Sequence, residues 1–249
     1  MSWPFYFFSF LLSYTIENHS TAPSLKINST APHSIQEINL PPGYERVALP
    51  AGSFGNFLRK QALKQDKTVY LYDGRTKYNQ QAQYAVLNVS VGSRDLQQCA
   101  DAVMRLRAEY LKKMEKPVCF SDNAGKKYCW DQYRNRGWQS YLETVFGMCG
   151  TISLEKELAA KSWNQLAAGD VLIKGGSPGH AVLVVDIARN RKTGELIFLL
   201  AQSYMPAQDI HILQNLGNKT LSPWYKAPES STISTPEWTF YANQLRSWR

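Results

Sequence analysis

The chain has no Cys-x-x-Cys pair and no closely spaced pair of histidines among its four, so it lacks the ligand spacing of an ordinary zinc site. No stretch approaches the ~20 consecutive apolar residues of a membrane-spanning helix. Internal repeats and low-complexity tracts are missing, which excludes solenoids and low-complexity arrays. Charged residues make up only 19 %, and acids are the scarcer sign, 20 against 28 Lys and Arg. The resulting +8 favours contact with something anionic. No nucleic-acid motif accompanies that charge, so no nucleic-acid partner is expected. The one glycine-rich loop, Gly175-Gly176-Ser177-Pro178-Gly179, is followed by an apolar strand-like run and not by a helix, which makes it a poor phosphate cradle. No cofactor and no metal are expected.

What is present suits a globular fold. Hydrophobic residues reach 44 % of 249, enough for a sizeable core. Ser53–Lys64 reads as a helix, as do 95–113, 137–146 and 153–161. In the second of these Leu96, Cys99, Val103, Leu106 and Tyr110 recur every three or four residues as one apolar stripe. Val69–Tyr72 and Tyr84–Val91 read as strands. Past residue 170 strands dominate: 171–173, the continuous apolar run 181–185, 196–200 and 210–213. Helices first and an antiparallel sheet later is the α+β pattern.

Residues 3–14 form an aromatic and apolar run of the length of a secretory h-region, although no Lys or Arg precedes it. The alternative is an aromatic arm packed on the domain. We read 1–40 as an export signal and flexible leader and 41–249 as a single α+β domain, exported to the periplasm or cell surface. The first cysteine is Cys99, which argues against a lipid-anchored N-terminus, and no stable transmembrane anchor is expected. Four cysteines, at 99, 119, 129 and 149, permit two disulfides in three connectivities. Cys119 and Cys129 flank a turn-rich stretch that can bring them together across a hairpin; free buried thiols are the competing reading.

His180 stands at the mouth of the apolar strand, just after the glycine loop. A hairpin turn centred near residue 192 brings Gln202 and Ser203 opposite it. The Gln202 amide oxygen can then accept from one ring nitrogen and leave the other free as a base. Cys149, just before a helix, supplies a nucleophile, because helix N-termini and imidazoles depress a thiol pKa. Thr151 and Ser153 are substitute polar groups for the same pocket, or helix caps. Asp209 and His211 share one strand face and with His180 could suggest a metal, but hydrogen bonding is the preferred reading. Ser222-Pro223-Trp224-Tyr225 and Trp238 are read as groove-lining or buried aromatics.

Cysteine before a helix, Gly179-His180 on one strand and Gln202 on the next resemble the permuted papain-type arrangement of NlpC-like cell-wall peptidases over residues 146–204. That resemblance implies a cysteine amidase or peptidase acting on cell-wall peptides, with Cys149, His180 and Gln202 as its catalytic residues. The runs Leu49-Pro50-Ala51-Gly52-Ser53-Phe54, Gly150-Thr151-Ile152-Ser153-Leu154, Gly169-Asp170-Val171, Pro178-Gly179-His180-Ala181 and Ala201–Gln208 are similar to the exported bacterial family called domain of unknown function 4846, from about residue 40 to the end. This second resemblance implies no activity. The expected function is a His180-centred cleft, open to solvent, that binds a cell-envelope peptide or anionic glycan without catalysis. The alternative is the NlpC-like cysteine hydrolase.

Overall fold

Alternation within the strands builds the molecule. In the apolar run from His180, side chains such as Ala181, Leu183 and Val185 enter one core cluster. Their alternates Val182 and Val184 enter a second. The strand is therefore buried on both faces. The structure is a computed structural model and describes residues 1–4, 31–229 and 231–249. The expected export signal and most of the leader fall on 5–30, outside the described residues.

In chain order the strands and helices are β1 (Tyr44–Arg46), α1 (Phe54–Arg59), β2 (Gln83–Val86), α2 (Cys99–Lys113), β3 (Cys119–Ser121), β4 (Lys127–Cys129), α3 (Trp138–Met148), α4 (Thr151–Glu157), β5 (Leu158–Ala160), β6 (Val171–Lys174), β7 (His180–Asn190), β8 (Leu196–Gln202), β9 (His211–Leu213), β10 (Tyr225–Lys226), β11 (Thr232–Ser234), β12 (Thr239–Tyr241) and β13 (Leu245–Trp248). Nine of the strands make one sheet, ordered β2-β9-β8-β7-β6-β13-β5, with β1 also on β7 and β10 also on β8. Every pairing in it is antiparallel. The fold is α+β, as the sequence pattern indicates.

The first core cluster joins α1–α4 to one sheet face through residues such as Leu58, Val103, Leu106, Leu142 and Leu154. The other face is closed by Ile233 and Phe240 of the β11–β12 hairpin, with Trp163 and Trp238 against them. Asp186 is fully buried in β7 and held by Arg46 Nε at 2.8 Å and Arg59 Nε at 2.7 Å, which ties β1 and α1 to the central strand.

Several elements differ from expectation. Ile35 and Ile38 are buried in the core, so packing begins ahead of residue 41, and an expectation of flexible leader up to residue 40 is too long. The helix expected over 153–161 starts at Thr151 and gives way to β5 at Leu158, because the chain there pairs with β13. The helix expected from Asp95 starts at Cys99. Val69–Tyr72 forms single bridges only, Tyr70 to Thr76 and Leu71 to Gln208. Cys119 and Cys129 lie opposite each other on β3 and β4 and are disulfide-bonded, while Cys99 and Cys149 are free and buried.

Candidate functional site

The β7–β8 hairpin sets the site. Leu183 pairs with Ala201, the register expected for a turn near 192, with one bulge between Val184 and Asp186. His180 at the start of β7 and Gln202 at the end of β8 then meet, Nε2 to Oε1 at 2.9 Å. Gln202 has a second obligation: its Nε2 donates to Glu237 Oε2 at 2.6 Å. Glu237 is in turn paired with buried Lys77 at 2.7 Å. Because the carboxylate can only accept, it holds the nitrogen side of the Gln202 amide and turns the oxygen to the imidazole. The ring must therefore carry its proton on Nε2, which leaves Nδ1 as the basic nitrogen.

The ring is 1 % exposed and packs against Tyr204, Trp238 and Phe240, with centroids 4.9, 5.3 and 5.8 Å away. Burial, helped by the Lys77 charge, lowers its pKa to about 4 against the support of Gln202, so His180 is neutral near neutral pH. This corrects the expectation of an imidazole open to solvent: three aromatic rings close it in, and the open space lies alongside.

That space is a cleft of about 220 Å³ lined by Cys99, Asp101, Phe146, Cys149, Thr151 and Gly179 among others. Two cysteines reach it from opposite helix poles. Cys149 caps the C-terminus of α3, its N–H bonded to the Val145 carbonyl at 2.8 Å, at the negative end of the helix dipole. Burial, followed by the charges of Glu157, Asp122 and Asp101, pushes its thiol up to about 12. Cys99 is the first residue of the fifteen-residue α2, where free backbone N–H groups gather. Burial and Asp101 push its thiol up to about 11, but the N–H groups of Ala100, Ala181 and Cys99 itself act the other way. Ala181 directly follows His180, so the Cys99 sulfur lies against the backbone that carries the imidazole.

The segment Ala201–Gln208 holds that helix start in place. The Ser203 hydroxyl sits between the carbonyls of Gln97, at 2.7 Å, and Gln208, at 2.9 Å. Asp95 Oδ1 accepts the N–H of Ala207 at 2.7 Å and the Gln98 amide at 3.1 Å. Thr151 and Ser153 have structural partners. Thr151 Oγ1 clasps Gly176 through its carbonyl at 3.3 Å and its N–H at 3.4 Å. Ser153 Oγ takes the N–H of Gly150 at 3.0 Å. Asp209 pairs with Lys64 at 2.9 Å, and His211 donates through Nδ1 to the Asp209 carbonyl at 2.9 Å. Those bonds occupy both side chains, and no group of three or more His, Cys, Asp or Glu side chains placed to hold a metal ion is found among the described residues. Trp224 is buried, with Nε1 bonded to the Asn39 carbonyl at 2.8 Å. A larger hollow, about 500 Å³, lies beside Lys112, Trp130 and Arg134, away from His180 and both free thiols.

Sequence reasoning missed Cys99 and Glu237. The local signal for Cys99 is weak: Asp95 is the favoured cap type and would start the helix at Leu96, whereas the observed cap, Gln98, is not a favoured N-cap residue.

A family model described as domain of unknown function (4846) matches residues 35–137 and 131–247. No curated protein and no solved structure matches the chain.

Proposed function

The chain belongs to the family of domain of unknown function 4846, and from that premise we propose that it is a cysteine-dependent amide hydrolase of papain-like, NlpC-related type, with Cys99 as nucleophile in place of Cys149. The observation that carries this reading is the seat of Cys99: the first residue of a long helix, its thiol against the N–H of Ala181, next in sequence to a histidine whose Nε2 is held by Gln202. Helix bearing the thiol, strand bearing the imidazole, next strand bearing its orienter is the papain-like order, and α2 packs on β7. His180 takes the Cys99 proton, the sulfur adds to an amide carbonyl, and the free N–H groups at the α2 start stabilise the oxyanion. The imidazolium returns the proton to the leaving amine, and water then hydrolyses the thioester.

The substrate of this reading is a cell-envelope peptide. The hairpin disulfide supports an exported protein in an oxidising compartment, periplasmic or at the cell surface. The +8 charge suits surroundings of anionic wall polymer. Among the described residues no helix is long and apolar enough to cross a membrane.

A second reading, a binding module without chemistry, is favoured by the closed-in ring and the raised thiol. Incubation with purified cell-wall peptides, followed by mass spectrometry of the products, separates the two. The hydrolase cleaves, Cys99→Ser loses turnover by at least about a thousandfold, and Cys149→Ser keeps it. Full activity in Cys99→Ser rules the thiol reading out. Saturable binding with no cleavage by the wild type supports the binding module.

A further inference from the structure

Within a chain of net charge +8, the cleft beside Cys99 has one acidic side chain in its lining, Asp101. Asp101 lies one helical position beyond Ala100 in the first turn of α2 and is 6 % exposed. Its Oδ2 accepts the N–H of Gln98 at 2.9 Å, a capping bond that uses one oxygen. The second oxygen has no partner among the described residues, and no Lys or Arg lines the cleft. A buried carboxyl without a countercharge is costly unless something neutralises it. Burial accordingly raises its pKa well above the usual carboxylate range when the cleft is empty.

Resting on the Cys99 reading above, we propose that Asp101 is a specificity residue that receives a protonated primary amine, so that the substrate is a peptide carrying an ammonium group close to the scissile amide. The ammonium supplies the missing countercharge and the hydrogen bonds that the second oxygen lacks. The remaining lining, with Phe146, Pro178 and Met205, offers apolar walls on either side. An anionic glycan is disfavoured in this cleft, since it supplies no countercharge to the carboxyl.

Three methanethiosulfonate reagents of similar size test the charge directly: aminoethyl (cationic), methyl (neutral) and sulfonatoethyl (anionic). Each is reacted with the full chain at about pH 8, and modification of Cys99 is followed by peptide mass mapping. The expected order is cationic over neutral over anionic, with a cation-to-anion rate ratio above about tenfold. Asp101→Asn keeps a capping oxygen and should bring that ratio close to that of the neutral reference. Equal rates in the wild type, or a ratio unchanged in Asp101→Asn, overturn the assignment of Asp101 while leaving the Cys99 reading intact. A Cys99 inert to all three reagents overturns that reading and this inference with it.

Discussion

Gln202 offers its neighbours an acceptor on one side and donors on the other, and which way it points decides the chemistry of His180. Glu237 makes that choice by accepting from Nε2, and it is itself paired with Lys77 in a nearly closed site. Replacing Glu237 by Gln removes the charge that forbids the flipped amide. The Nε2–H tautomer of His180 should then lose its dominance, visible in imidazole nitrogen chemical shifts, with slower Cys99 chemistry. A purely structural role would leave the tautomer unchanged. Glu237→Ala should be worse for stability, by about 3–5 kcal/mol, because it leaves a buried ammonium unpaired. The His180–Gln202 pair was legible in the sequence, since hairpin register follows from the turn position. Glu237 was not, because only tertiary folding of the β11–β12 hairpin brings it to Gln202. Cys99 was visible as an apolar-stripe residue, and that reading hid its position at the helix start.

At the scale of elements, the glycine loop between β6 and β7 is where backbone space is tightest. A Cβ on Gly179 would overlap Thr151 Oγ1 and the carbonyls of Gly176 and Lys174. Two of those atoms are backbone and cannot swing away. Gly179→Ala should cost about 1–3 kcal/mol by urea denaturation and displace the cleft wall beside Cys99; an unchanged midpoint would show that the loop yields freely. Element types between residues 171 and 213 were legible because the apolar runs there are continuous, whereas the short strands β10–β13 were not. The split of 151–160 into α4 and β5 was not, because pairing with β13, nearly ninety residues later, overrides local helix preference.

Across the whole molecule, two buried neutral histidines couple folding to pH. Burial lowers His180 to about 4 and His211 to about 3, both below the unfolded value of 6.5. The unfolded chain therefore binds protons first on acidification. Their contribution is complete above about pH 6.5 and is lost as pH falls through about 4 and then 3. Asp101 and Glu157, raised by burial, act in the opposite sense, stabilising relatively at low pH. His211→Asn, which can still donate to the Asp209 carbonyl, should therefore show a smaller drop in melting temperature between about pH 6.5 and 4 than the wild type. An identical drop would remove His211 from the acid limb. The α+β class was legible at this scale from the order of helical and strand patterns. The two-faced burial of the sheet was legible only along β7, where no polar residue interrupts the run before Asp186.

The central claim is that Cys99, and not Cys149, is the thiol that His180 serves. Timed alkylation by iodoacetamide near neutral pH, mapped by peptide mass spectrometry, tests it most directly. The thiol at residue 99 should be modified first, and at least about tenfold more slowly in His180→Ala. Preferential modification of Cys149, or a Cys99 rate indifferent to the loss of His180, would contradict it.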